Sequence, residues 1–149
     1  MKRRAQKIVK QHYHDGYKLQ KVNILPALMA FHKWDFVVDS NSHHIVGQVN
    51  LLNSEIKLRK KFKKPDEEII ELFTSTKVGK YFKEFSPVFH ITYFEEMDKL
   101  VLKCIDLRYF FKNNFMHHAT AVFDEQKNII ESFLHPYDIN KSIYVAEES

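Results

Sequence analysis

Glycine, proline and cysteine are all scarce in this chain, with three Gly, four Pro and one Cys in 149 residues. So few chain breakers argue against disorder. Gly16, Gly47 and Gly79 stand too far apart to build a phosphate-cradling loop of the P-loop or dinucleotide type. A lone cysteine excludes an internal disulfide and a cysteine-rich zinc site, and it agrees with a reducing compartment. Cys104 lies inside a strand pattern, where it reads as a small buried hydrophobe and not as a nucleophile. Also missing is any run near the roughly 18 to 20 apolar residues that a membrane-spanning helix needs. The basic start lacks the apolar segment of a secretory signal. No Gly-x-Ser-x-Gly and no His-Glu-x-x-His occurs. The nine histidines include the close pairs His12/His14, His43/His44 and His117/His118. Adjacent histidines on a strand point to opposite faces and cannot share one ion, so no metal site is assigned here.

What the chain does have is aromatic bulk. Aromatic residues make up 14%, with 13 Phe and 7 Tyr, and 44% of the chain is hydrophobic, enough for a real core. Strand patterns alternate through Lys18 to Leu28, ending at Pro26, then through Trp34 to Asp39 and His43 to Leu52 as a hairpin about Ser40-Asn41-Ser42. Trp34, the only tryptophan, is expected to anchor the core beside Phe31 and Phe36, with ligand stacking as its alternative role. Pro65-Asp66-Glu67-Glu68 opens a helix, and apolar spacing from Ile69 to Phe85, broken at Thr74-Ser75-Thr76, predicts two short ones. Val88 to Phe94 and Lys99 to Tyr109 form a hairpin about Glu95 to Asp98. Met116 to Phe123 and Ile129 to Leu134 form another about Asp124 to Asn128. Past His135-Pro136-Tyr137 a short element is expected at Ser142 to Val145. The fold class is therefore α+β, a mainly antiparallel, aromatic-rich sheet with a basic N-terminal helix and two short helices. Residues 1–16 are set apart as a basic amphipathic helix or membrane-proximal connector, and 17–149 as a single α+β domain.

Asp106-Leu107-Arg108-Tyr109 is the least replaceable stretch. Side chains alternate on a strand, so Leu100, Leu102, Cys104, Asp106 and Arg108 share one face. Asp106 and Arg108 on an otherwise apolar face form a structural ion pair or bind loop backbone near a sheet end. The alternative is ligand binding, in which Arg108 holds an anion and Asp106 orients it.

Net charge is +4, unevenly spread. Lys2, Arg3, Arg4, Lys7 and Lys10 precede the first acid, and Lys57, Arg59, Lys60, Lys61, Lys63 and Lys64 form a second cluster. Lys2 to His14 spaces Ala5, Ile8, Val9 and Tyr13 three and four apart, the pattern of an amphipathic helix lightly docked on the domain or lying at an anionic membrane. Both clusters suit anionic partners, lipid headgroups or nucleic acid. Lysines at 57–64 also protect a solvated edge strand from aggregation.

Three segments carry a family resemblance: Phe85-Ser86-Pro87-Val88-Phe89-His90-Ile91, Ile105-Asp106-Leu107-Arg108-Tyr109-Phe110-Phe111 and Ala119-Thr120-Ala121-Val122-Phe123-Asp124. With Pro26 and Phe31-His32-Lys33-Trp34, they resemble the C-terminal part of bacterial inner-membrane proteins of a membrane-bound metal-dependent hydrolase family, over roughly residues 20 to 135. The chain departs from that pattern at Met29-Ala30 and at Asn114 to His118. The resemblance implies an accessory, non-catalytic domain at the cytoplasmic face of the inner membrane. Its partner would be the membrane region of a parent protein, and the divalent metal belongs to that absent region. The alternative is a standalone binding module for an anionic partner, acting through the two basic clusters.

Overall fold

The computed structural model describes residues 1–27, 30–108, 110–111, 114–115, 117–135 and 143–147. Tyr109, Met116, Pro136-Tyr137, Ser142 and one member of the Met29-Ala30 pair, Met29, lie outside them. The chain forms two compact units, residues 1–64 and 65–149.

The first unit comprises α1 (Lys2–Tyr13), β1 (Leu19–Pro26), β2 (Lys33–Ser40), β3 (His43–Asn50) and β4 (Glu55–Lys63). The strands pair in sequence order, all antiparallel. Short connections leave each strand only its sequence neighbour to pair with, and alternation then selects one apolar face. Val22, Ile24, Phe36, Val38, Ile45 and Val49 form that face, and Ala5 and Val9 of α1 pack on it without exposure. The apolar stripe of α1 is thus spent on the sheet. Burial of a side chain such as Val9 contributes about 1.5 to 3 kcal/mol. Gly47 lies across from Phe36, and a Cβ there would stand 2.5 Å from the Phe36 ring and 2.6 Å from the Lys57 carbonyl. The ring occupies the space that glycine leaves.

Trp34 packs against this core beside Phe36, as expected. Phe31 does not: it is 83% exposed, because it sits in the β1–β2 connection beyond the last paired residues, Pro26 and Trp34. β4 is an edge strand, as the lysine run suggested.

The second unit comprises α2 (Glu67–Thr74), α3 (Lys77–Phe85), β5 (Phe89–Glu96), β6 (Lys99–Asp106), β7 (Phe110–Phe111), β8 (Asn114–Phe115), β9 (His118–Phe123), β10 (Ile129–His135) and β11 (Ile143–Tyr144). A five-stranded antiparallel sheet runs β11-β10-β9-β6-β5, and β7 and β8 form a small separate hairpin. Phe73, Val78 and Phe82 of the helices pack on Ile91, Leu102, Cys104, Ala119, Ala121 and Phe123. The two alanines leave room on β9 for large rings from above. The α+β class holds, with the strands divided between sheets.

Two local features sharpen the expected elements. The first hairpin turn is only Met97-Asp98, both at positive φ (50° and 64°), so β5 extends through Glu96. Where the sequence breaks at Thr74-Ser75-Thr76, Thr76 caps α3: its Oγ1 accepts from Gly79 N at 2.9 Å and donates to Phe73 O at 2.6 Å.

Candidate functional site

Asp106 is the last residue of β6 and Arg108 lies two residues on, in the turn that follows. Arg108 N donates to Asp106 Oδ1 at 3.0 Å, and this local turn brings the guanidinium back over the carboxylate. Nε reaches Oδ1 at 3.1 Å and Nη2 reaches Oδ2 at 2.8 Å. Nη2 also donates to Phe85 O at 2.8 Å, at the end of α3. Asp106 has no exposed surface, while the Arg108 side chain keeps 21%. The two residues therefore fasten the end of β6 to the end of α3, which is the arrangement of a structural ion pair. His117 stacks on Phe85 at 4.7 Å between centroids, and its carbonyl accepts from Asp106 N at 3.0 Å. Burial lowers the His117 pKa, Arg108 lowers it further, and Asp106 opposes both. Trp34, the third candidate ligand residue, belongs to the other unit, where its Nε1 is buried with no hydrogen-bond partner among the described residues.

Two of the three histidine pairs, His117/His118 and His43/His44, divide between faces, as alternation along an extended chain predicts. His117 meets Phe82 and Phe85, whereas His118 faces His135 at 6.4 Å. His43 lies edge-on to Tyr17 at 5.5 Å, whereas His44 turns to Asp39, with Nε2 and Oδ1 3.4 Å apart. Among the described residues no three His, Cys, Asp or Glu side chains converge as metal ligands. Burial pushes the Cys104 thiol well up, with the Asp106 charge adding to it. A thiol held in its neutral form suits a core side chain.

Both basic clusters fall in the first unit. Lys2, Arg3, Arg4, Lys7 and Lys10 are all exposed along α1, and Lys57, Lys60, Lys61 and Lys63 are exposed along β4. Two members are drawn to carboxylates instead. Arg59 Nη1 lies 3.4 Å from Asp35 Oδ1, and Lys64 Nζ lies 2.5 Å from Asp39 Oδ1. Lys61 Nζ stands over the Tyr17 ring at 5.2 Å, on the side of the sheet that α1 covers. A bulge between Val46 and Gly47 shifts the β4 register, so the lysines divide between both sides of the edge.

The division of charge exceeds what two patches suggest. Residues 1–64 hold 14 Lys and Arg against 4 Asp and Glu, a net of +10, whereas residues 65–149 hold 9 against 15, a net of −6. The overall +4 conceals two strongly charged units of opposite sign. In the acidic unit Glu95, Glu96, Asp98, Asp124 and Glu125 line one cavity at the hairpin turns.

Two side-chain environments were not evident from the sequence. His44 is 8% exposed, and burial together with the Lys64 charge lowers its pKa to about 3. It is therefore neutral at pH 7 and makes no ion pair with Asp39, whose carboxylate goes to Lys64. Glu147, just after β11, accepts from Lys77 N at 2.6 Å, Val78 N at 3.0 Å and Ser132 Oγ at 2.7 Å. The signal for it was Thr76 followed by Gly79, a helix start whose remaining donors need an acceptor.

Residues 68–143 match the family model described as YfhP C-terminal alpha/beta plait domain. This overturns the resemblance to membrane-bound metal-dependent hydrolases, and with it the hydrolase description. Several of the resembling residues lie in antiparallel strands, among them Phe89 to Ile91 in β5, Ile105 and Asp106 in β6 and Ala119 to Phe123 in β9, and Asp106 and Arg108 fasten the end of β6 to the end of α3. Comparison with curated proteins gives no match, and comparison with solved structures gives none either.

Proposed function

We propose that this chain, which belongs to the YfhP C-terminal alpha/beta plait domain family, is a binding module that engages an anionic partner through residues 1–64. One observation carries the reading: a 64-residue unit with a net charge of +10, most of its Lys and Arg exposed along α1 and the β4 edge. Such a charge on a small unit produces a field that concentrates polyanions and accelerates their encounter. With Ala5 and Val9 in the core, α1 presents charge outward and keeps its apolar stripe inward, so it acts as a cationic rail. The natural place for the module is the cytoplasmic face of a membrane, where anionic headgroups attract each nearby basic residue by about 1 kcal/mol. No helix of the described residues is long and apolar enough to cross a membrane.

The test is sedimentation of the full chain with vesicles of phosphatidylcholine alone or with 30% phosphatidylglycerol, beside a single-stranded oligonucleotide. Expected is binding to at least one anionic target, weakening steeply with salt, and absent for phosphatidylcholine alone. Charge reversal of Lys57, Lys60 and Lys63 to Glu should weaken it about tenfold or more. Binding that ignores salt, or no binding to either anionic target at low salt, would end the proposal.

A further inference from the structure

The outer strands of a sheet carry backbone groups that must be covered, guarded by charge or paired. At β1, Gln6 Nε2 of α1 donates to Val22 O at 3.3 Å, and a bulge interrupts the register between Leu19 and Lys21. β4 carries the exposed Lys57, Lys60, Lys61 and Lys63, with a bulge opposite Val46 and Gly47. β10 is bordered by the two-residue β11, and beyond that pairing Val145 N donates to Ser132 O at 2.9 Å. β5 has none of these devices. Over Phe89–Glu96 it holds no proline, no lysine and no bulge, and among the described residues no strand lies beyond it. Thr92 to Glu96 are exposed in succession, Tyr93 by 49% and Phe94 by 41%.

The β5 backbone faces outward in a defined pattern. Leu107 N donates to Val88 O at 3.2 Å, and Phe89 stands opposite Asp106. Bonding alternates along an antiparallel strand, so His90, Thr92, Phe94 and Glu96 bond to β6 while Ile91, Tyr93 and Glu95 turn N–H and C=O away from it. We infer that a second copy of this chain pairs here, β5 against β5 and antiparallel, about a two-fold axis at Tyr93. Tyr93 then faces its counterpart and Thr92 faces Phe94, an aromatic pair flanked by aromatic–threonine pairs. Charge sets the direction. The acids of β5, Glu95 and Glu96, stand together at its hairpin end. Parallel pairing would bring them side by side, about 5 Å apart. Antiparallel pairing separates Glu95 from its counterpart by about 13 Å along the strands, beyond the roughly 8 Å reach of surface charges in physiological salt. Pairing about one two-fold axis also uses up the β5 edge of both copies, so assembly stops at two. The strand of a different protein could meet the same backbone groups, but the self-complementary placement of aromatics and acids favours a second copy.

The experiment is sedimentation velocity of the full chain over a range of concentrations, at low and at high salt, beside Tyr93→Lys. The parent should form a reversible dimer that survives high salt, because strand pairing rests on backbone bonds and apolar contact. Tyr93→Lys sets two ammonium groups opposite each other at an exposed position, and it should associate about tenfold more weakly or worse with its circular dichroism unchanged. Should that variant lose its fold, Tyr93→Cys decides. It should form a disulfide-linked dimer on mild oxidation, since directly bonded antiparallel residues lie about 5.5 Å apart and the native Cys104 is buried. Glu95→Cys, held away from its counterpart, should not. A parent that stays monomeric at every concentration overturns the inference and leaves the edge to the strand of another protein. A dimer that dissolves in salt overturns it as well, since that is attraction between the basic and acidic units. So does a dimer that a folded Tyr93→Lys leaves intact, or cross-linking by Glu95→Cys in place of Tyr93→Cys. None of these outcomes bears on the anionic partner, which is read by binding to vesicles and oligonucleotide.

Discussion

Arg108 grips Asp106 with two parallel contacts, Nε to Oδ1 at 3.1 Å and Nη2 to Oδ2 at 2.8 Å, and the same Nη2 holds the Phe85 carbonyl. A carboxylate with no exposed surface depends on such a partner. Arg108→Ala should cost about 3 kcal/mol in urea unfolding, at the lower end for a broken buried pair because the guanidinium keeps some solvent contact. Arg108→Lys should recover only part, since an ammonium cannot reproduce the fork. A loss under about 1 kcal/mol would show that the pair does not secure the fold.

His44 predicts an acid-labile first unit. Its folded pKa is lowered from 6.5 to about 3, so the unfolded chain binds more protons in between. The contribution is therefore present in full above pH 6.5 and is lost as pH falls toward 3. The slope from this one group is at most about 1.4 kcal/mol per pH unit. His44→Gln should flatten the stability profile between pH 6.5 and 4 relative to the parent. Parallel profiles would contradict a buried neutral imidazole.

Gly79 leaves no room for a methyl group. A Cβ there would stand 1.9 Å from the Phe73 carbonyl oxygen, which itself accepts from Thr76 Oγ1. Alanine normally favours a helix over glycine by about 1 kcal/mol. Here Gly79→Ala should instead destabilise by roughly 1 to 3 kcal/mol, the cost of overpacking at the α2–α3 junction. Thermal unfolding reads the sign directly, and a rise in Tm would refute the close approach.

Glu147 ties the C-terminal segment to the start of α3 through two backbone donors and the Ser132 hydroxyl. Glu147→Ala should cost about 1 kcal/mol, as removal of a helix N-terminal acceptor does. It should also speed proteolytic removal of the segment after Tyr144, while Glu147→Gln should fall between the two. Equal cleavage rates for all three would show that the carboxylate does not restrain the tail.

How far these features were legible varies residue by residue. β1 ending at Pro26, the hairpin about Ser40 to Ser42, and the two helices after Pro65 were readable because turn chemistry and periodicity act over a few residues. Asp106 and Arg108 were legible as a pair for the same reason, being two residues apart. The Phe85 carbonyl that completes their fastening comes from 23 residues earlier and leaves no trace in the local pattern. Phe31 was misplaced because a phenylalanine near Trp34 looks like core, whereas its exposure follows from where strand pairing stops. The hydrolase resemblance failed similarly: short strand motifs record the demands of a sheet, and sheets of this kind serve many functions.

By itself the sequence determined the α+β class, the strand and helix segments, and the concentration of basic residues in the first 64 positions, since each depends on neighbours along the chain. Only tertiary structure decided that the strands divide between two sheets, that α1 spends its apolar stripe on one of them, and that His44 is stripped of water beside Lys64. Those outcomes depend on which distant surfaces exclude solvent from one another, and burial is a property of the assembled chain.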